Sequence, residues 1–594
     1  MAEPFPGTPG SQKPTEERLD SWKEIAAYLD RDVTTVQRWE KREGMPVHRH
    51  VHDTRGSVYA LSGELDAWER SRRARLAEEE KEAKVETPPL VTPEPGRTGT
   101  IRTRRWLALA VLVVWIMLAI GYGLSRGHAR NTGAPKIASL AVLPFKNLSG
   151  DPKQDYLAEG MTEALIGRLA GIHDLRVISH TSVMRFKDPQ TSAPEIAKTL
   201  RVDALVEGSV IREGSRIRVT AQLIRGATDE HFWSETYDRE LRDALEMESE
   251  LAQNIARRVE VTVTGVEHGR LTAARPVAPE VYEAYLKGQY ASDQSNSTAG
   301  LEESIRYFDQ AIKRDPTFAP AYMGLANAYS DLGTIFMGGS PDETRPNVMS
   351  ATRKALELDP DMAEAHVMLG ELLQQEWHWA DAEAEERRAL ELSPNSAAAH
   401  EGLAQWLLCE GRTDESLQWA QRGRELNPLA VSGVNIAWIL FMARRYPEAI
   451  RELRSMLAVQ PNDAGALWNL GFVLIANNQG ADAIPVLEKA LNVSDRSPGV
   501  IGVLIRAYAH AGRRDDALRL LAELKKRNKT SYVPAGAFVN AYLGLSDNEQ
   551  SFVWLEQAYK EHSNILQFVK VHPYFDPLRG DPRFADLVRR IGLE

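Results

Sequence analysis

The sequence predicts a multidomain chain: an N-terminal winged helix-turn-helix, one transmembrane helix, a small α/β domain and an all-α superhelix of paired helices. Three observations carry this prediction. Near the N-terminus a capped helix precedes a short polar one; residues 106–124 (WLALAVLVVWIMLAIGYGL) contain no charge; and prolines recur through the C-terminal half at a near-constant interval. The chain of 594 residues has room for about four domains. Its net charge of −11 excludes a nucleic-acid-coating role for the bulk of the protein, so any DNA contact must be local. The one cysteine, Cys409, excludes an internal disulfide framework and a cysteine-based metal site, and reads as a small buried hydrophobe in a helix.

Residues 1–17 are expected to be disordered, and 18–76 to form the winged helix-turn-helix. Ser21-Trp22-Lys23-Glu24 has the form of a capping box, which starts a helix carrying Trp22, Ile25, Ala26 and Leu29 at helical spacing. Asp30-Arg31-Asp32 turns the chain into a second helix from about Thr34 to Glu43, stopped by Gly44 and Pro46. With Val36 and Trp39 or its neighbours turned inward, Thr34, Thr35, Gln37, Arg38, Lys41 and Arg42 crowd the remaining face. That is the composition of a recognition helix. In a major groove Arg and Gln can form paired hydrogen bonds to base edges, while Thr and Lys more often hold phosphates. Residues 47–52 and 57–60 flank a turn and predict a hairpin wing, on which Arg49 and Arg55 complete the candidate DNA-contacting set. A further helix is expected from Ser62.

Val33-Thr34-Thr35-Val36-Gln37-Arg38-Trp39-Glu40 followed by Gly44-Met45-Pro46 resembles the MerR and excisionase type of winged helix-turn-helix, over about sixty residues. The long dimerisation helix of full MerR regulators does not follow the wing. Between Arg18 and Leu76 twelve Lys/Arg face ten Asp/Glu, so the segment is barely basic, and a helix-turn-helix recruited for protein contact has the same composition. His48, His50 and His52 alternate along the wing without a fourth ligand nearby and read as solvated side chains rather than a metal set.

Residues 77–105 form a charged and Pro-rich linker, broken by Thr87-Pro88-Pro89 and Pro93-Glu94-Pro95-Gly96. The uncharged run 106–124 measures about 28 Å as a helix, close to the ~30 Å hydrocarbon core of a bilayer, and predicts a membrane span. Arg97, Arg102, Arg104 and Arg105 precede it and Arg126, Arg130 and Lys136 follow it, a slight vote for an inward N-terminus. A groove-reading domain is useful only where DNA lies, so the expected location is a bacterial inner membrane, single-pass, with the N-terminus cytoplasmic and the C-terminal domains periplasmic.

Residues 137–265 predict a small α/β domain. Ile137 to Phe145 is a nearly continuous apolar run, as for a strand covered on both faces. Leu157, Met161, Leu165 and Leu169 then line one helix face, and Leu175 to Ser179 return as a strand. A short helix spans Ala193 to Leu200. Ala204 to Ile211 and Ile217 to Leu223 flank Glu213-Gly214 as a hairpin, and Phe232 to Tyr237 adds a strand. The run Leu140 to Leu148, Glu159-Gly160-Met161 and Val206-Glu207-Gly208-Ser209-Val210 are similar to the TolB amino-terminal-like domain, which implies an interaction or sensory module. The segment offers no nucleophile-base pair, carboxylate dyad or phosphate loop.

Residues 280–562 predict helical repeats. Pro360, Pro394, Pro428, Pro461 and Asp495 stand close to the ~34-residue period of tetratricopeptide repeats, which this region resembles. Leu369-Gly370, Ala382 and Ala389 take the small and turn positions of one unit, Leu470-Gly471, Ala483 and Ala490 those of another. Roughly eight units are expected, stacked into a right-handed superhelix with a concave groove. Trp377-His378-Trp379 sits where one repeat helix turns into the next and reads as packing rather than ligand stacking. Residues 563–594 are expected to cap the open end.

The partners implied are DNA through residues 18–76, a lipid bilayer through 106–124, a protein or peptide in the repeat groove, and a second copy of the chain as a homodimer. No catalytic residue, cofactor or metal ligand is expected, and neither a kinase signature set nor a Gly-x-x-x-x-Gly-Lys loop occurs. The layout looks like that of CadC-type regulators and predicts a membrane-anchored transcription regulator with outer sensing and protein-interaction domains. The alternative is an envelope scaffold whose helix-turn-helix grips a protein.

Overall fold

The computed structural model describes residues 18–19, 21–29, 31, 33–43, 45–49, 58–68, 70–72, 137–187, 191–272, 275–294, 297–333, 340–429 and 435–594. The chain divides into two compact units, Met1–Gly127 and His128–Glu594.

In the first unit, helix Trp22–Tyr28 begins where Ser21 places its hydroxyl 3.3 Å from the Glu24 N–H and accepts from it, satisfying a donor that the helix start leaves free. Helix Val33–Glu43 follows. Strands Arg18–Leu19 and His48–Arg49 both pair antiparallel with Val58–Leu61, which is the centre of a three-stranded sheet. Residues 62–68 are helical. Ile25, Val36, Trp39, Val58, Ala60, Leu65 and Trp68 are buried together. Every element but strand His48–Arg49 therefore contributes an apolar face to a single small core.

In the second unit, a six-stranded sheet runs in the order Arg176–Val177, Ser139–Val142, Ala204–Glu213, Arg216–Arg225, Glu230–Glu240, with Lys146–Asn147 also paired to Ala204–Glu213. The first three strands are parallel and the last two pairings are antiparallel hairpins. Gly214 turns the first hairpin at φ 63°, a left-handed conformation that glycine adopts without Cβ strain. Helices Asp155–Ala170 and Ala244–Arg258 bury their apolar faces in the same core as the sheet.

From Pro279 to Lys560 the described residues form eight consecutive helix pairs. Small residues let the paired helices approach. A Cβ placed on Gly288 would lie 2.7 Å from the Phe308 ring, which is itself buried and also closes on Gly324. Residues 563–594 lie against helices of several pairs. The Tyr574 hydroxyl donates to the Phe472 carbonyl at 2.7 Å, and the Trp379 indole donates to the Ile591 carbonyl at 2.7 Å.

The α/β domain packs directly on the repeats. The Tyr282 hydroxyl, on the first repeat helix Pro279–Asp293, donates to the buried Glu248 carboxylate. Asn395 donates to the Ile172 carbonyl at 2.8 Å, and the Ser182 hydroxyl to Asn427 at 2.7 Å.

The expected fold class needs one correction: the structure is a mostly helical repeat superhelix with small sheet domains, and no helix among the described residues is long and apolar enough to cross a membrane. The apolar helices found here are short. Ala464–Ala476, for example, has 13 residues, or about 20 Å, against the ~30 Å a span requires, and it is buried against neighbouring helices. The longest described helix, Pro341–Leu358, has 18 residues and carries charges along its length. Residues 106–124 lie outside the described residues. The single-pass inner-membrane location, with its cytoplasmic N-terminus and periplasmic C-terminal domains, depended on that span and is corrected with it.

Candidate functional site

Helix Val33–Glu43 is held by its inner face. Val36 is fully buried and Trp39 nearly so; the Trp39 ring packs 5.5 Å from Trp68, and the Arg72 guanidinium lies 4.4 Å over it. At ~100° per residue, positions 34, 37, 38 and 41 fall opposite Val36 and Trp39, and 35 and 42 lie on one flank. Thr35 and Gln37 are half-buried. Thr34, Arg38, Lys41 and Arg42 are placed by the helix backbone. Arg49 stands on strand His48–Arg49, opposite Val58 in the register, and Arg55 lies outside the described residues.

The wing is tied to the helix that follows it. The His48 ring stacks on Tyr59 with centroids 5.1 Å apart, and its Nε2 lies 2.7 Å from the Glu64 carboxylate. His48 is thus a half-buried structural side chain rather than a solvated one; His50 and His52 lie outside the described residues. Sequence reasoning missed the pair because sixteen positions and a turn separate its members.

A second surface lies on the first helices of the repeat pairs. Glu364 and Glu371 stand on Ala363–Gln375, and Glu401 on Ala397–Cys409. None of the three belongs to the buried core, yet the surrounding protein displaces enough water to raise all three carboxyl pKa values. Burial pushes Glu371 up to about 7. Glu401 also rises to about 7, through burial and then the charge of Glu371. Beyond Glu401, the wall continues into a small cavity lined by Gln405, Leu408, Trp438 and Phe568. Such a wall gains negative charge near neutral pH and can take a cationic segment. No sequence signal marked these acids, because their proximity arises from stacking separate repeats.

Trp377 and Trp379 are used for packing. The Trp379 indole is buried in its bond to Ile591, and the Trp377 ring stacks 5.4 Å from His562. Cys409 is fully buried, and burial raises its thiol pKa far above the ordinary range. It is not a reactive thiol.

Residues 136–258 match the family model described as the second domain of HilA/YgeH-like transcriptional regulators, and residues 440–493 and 474–533 match the tetratricopeptide repeat model. The chain therefore carries a regulator-type domain followed by tetratricopeptide repeats. A protein of Rhizobium meliloti (strain 1021) named putative adenylate cyclase 3 is 33% identical over 236 residues, 40% of this chain and 40% of its own length. The chain thus spans less than half of that relative. Among solved structures, the human IFIT1 dimer with m7Gppp-AAAA is similar at 15% identity, with 58% of this chain and 76% of that one covered and a TM-score of 0.39. YrrB, a TPR protein with an unusual peptide-binding site, is similar at 21% identity, with 31% and 91% covered and a TM-score of 0.22.

Proposed function

We propose that the chain is a transcription regulator that binds DNA through residues 18–76 and takes a protein partner on its repeats. The observation that carries this reading is the helix Val33–Glu43. Its apolar side is sunk in a core of its own unit, which leaves Thr34, Arg38 and Lys41 at the opposite positions. In a major groove Arg38 and Gln37 would read base edges, while Thr34, Thr35, Lys41 and Arg42 hold phosphates, with Arg49 and Arg55 on the flanking backbone. The likeness of Val33 to Pro46 to MerR and excisionase wings supports this docking. The match of residues 136–258 to a regulator domain supports the setting.

The similarity of residues 140–210 to TolB amino-terminal-like domains supports a protein-interaction or sensory role for the α/β domain. The acidic repeat wall suits a Lys/Arg-rich segment of that partner. Two chains held together by such contacts would raise the effective concentration of two wings on paired half-sites.

The test is selection of genomic DNA fragments by the full chain, with Arg38→Ala as control. Enrichment of a defined sequence that Arg38→Ala relaxes or abolishes is the expected result. Absent or salt-insensitive binding would instead favour a repeat scaffold whose helix-turn-helix grips a protein. The name of the Rhizobium relative motivates one further assay: cyclic AMP production from ATP by the full chain would place an enzyme activity beside the regulatory one.

A further inference from the structure

Where the α/β domain meets the first repeat, three side chains from three elements converge. Glu163 stands on helix Asp155–Ala170, His180 opens the short helix His180–Val183, and Asp293 ends the first repeat helix Pro279–Asp293. One ligand atom from each lies within 4.8 Å of the other two. We propose that this junction is a binding site for a divalent transition cation of the zinc class, with Glu163, His180 and Asp293 as its protein ligands.

Two further observations point to a missing cationic partner. Glu159 lies one helical turn before Glu163 on the same face and is only 4% exposed. Lys187 pairs with its Oε1, but its Oε2 has no hydrogen-bond partner among the described residues. His180 Nε2 is likewise buried without a partner among the described residues. Buried polar atoms are nearly always satisfied, so two orphans beside one acidic cluster call for an explanation.

The electrostatics agree with the geometry. Burial, then the charges of Asp293, Glu364 and Glu159, pushes Glu163 up to about 8. Although the Asp293 side chain reaches solvent, water displaced by the protein around it, then the charges of Glu159 and Asp331, raise it to about 6. Burial holds His180 down to about 4. Lys187 is bound to Glu159 and leaves the other acids uncompensated.

The donor set selects the ion. An imidazole with two carboxylates suits zinc and its first-row neighbours better than magnesium or calcium, which prefer oxygen alone. Donors each ~2.1 Å from one ion stand at most ~4.2 Å apart, so a trio within 4.8 Å is close to ligating distance. Asp293 is exposed at the end of its helix and provides both the freedom to close and a path from solvent. The Gln289 amide donates to Glu163 Oε2 at 2.9 Å and would orient that carboxylate. Because two ligands belong to the α/β domain and one to the repeats, the ion would tie the two together.

The test uses the full chain, stripped with chelator and titrated with Zn2+ against a chromophoric competitor, and with Co2+ followed by its visible absorption. The expected result is one high-affinity equivalent per chain. His180→Gln and Asp293→Asn should each lower the affinity at least tenfold, and the Co2+ band should disappear in His180→Gln. Asp293→Asn changes an exposed helix end, so an unchanged circular-dichroism melt of its metal-free form separates lost ligation from lost folding. The proposal is overturned if the stripped chain takes up no ion, if both variants bind like the parent chain, or if Mg2+ or Ca2+ competes on equal terms with Zn2+.

Discussion

Glu386 is wholly buried in the repeats, where its carboxylate meets the Gln374 amide at 3.2 Å and lies against Gly370 and Gly402, neither of which leaves room for a Cβ. Burial, reinforced by Glu371, raises its pKa well above the ordinary carboxylate value, so the folded chain holds it protonated. The unfolded chain releases that proton above ~4.3, so a raised folded pKa makes stability fall as pH rises beyond that point. Glu371 and Glu401, at about 7, add to the loss between ~4.3 and about 7. Glu386→Gln keeps the neutral shape. We therefore expect thermal melts at pH 7 to show a variant more stable than the parent chain, with a shallower decline from pH 5 to pH 8. In the first unit, Trp39→Ala removes a side chain that meets both Trp68 and Arg72 and should cost about 3–5 kcal/mol. A unit this small has little stability to spare, so its hydrogen-exchange protection should disappear while that of residues 137–594 is unchanged. The inward turn of Val36 was legible in the sequence from helical spacing, and that of Trp39 only to within its neighbours. The pairings His48 with Glu64, Tyr282 with Glu248 and Gln374 with Glu386 were not, because each joins separate elements and periodicity describes only one element at a time.

At the scale of elements, the sheet and the repeats were legible for different reasons. The apolar run at residues 137–145 predicted one long strand, and the chain instead forms Ser139–Val142 and then Lys146–Asn147. The intervening Leu143, Pro144 and Phe145 remain buried, but Pro144 has no N–H to continue a ladder. Helices Ala244–Arg258 and Gly265–Thr272 went unassigned in the sequence because their acidic and basic residues dilute the apolar face. The small-residue positions of the repeats, by contrast, follow from packing two helices at close range, and they recur visibly. The segment from 563 onward was marked only by its aromatic and proline content. Its Tyr574 reaches Phe472, its Asp576 pairs with Arg444 at 2.8 Å, and His572 sits fully buried among Trp438, Phe441 and Phe472. Tyr574→Phe should cost about 1 kcal/mol, the net value of one such hydrogen bond, read as a small drop in urea midpoint. Removing residues 563–594 should be far more damaging. It uncovers Trp379, Trp438 and Phe472 together, and dye binding to exposed apolar surface should rise sharply.

For the whole molecule, charge is unevenly divided between the two units. Net charge is −11, yet residues 18–76 carry a small positive excess, and the acids of the repeat wall lie in the other unit. Under the proposed DNA-binding role, attraction to phosphate comes from a few side chains, which makes binding sensitive to each. The same division predicts that a Lys/Arg-rich peptide binds the repeats more tightly at pH 8 than at pH 6, because Glu371 and Glu401 lose their protons across that interval. Calorimetry at the two pH values should show the gain, and Glu371→Gln with Glu401→Gln should flatten it. The central claim, that helix Val33–Glu43 docks on DNA, is tested most directly by titrating a selected DNA fragment with the full chain at several salt concentrations, beside a variant carrying Arg38→Ala, Lys41→Ala and Arg42→Ala. Affinity should fall steeply with salt for the parent chain, and the variant should bind at least tenfold more weakly with a shallower slope. Equal affinity and equal slope for the two chains would contradict it.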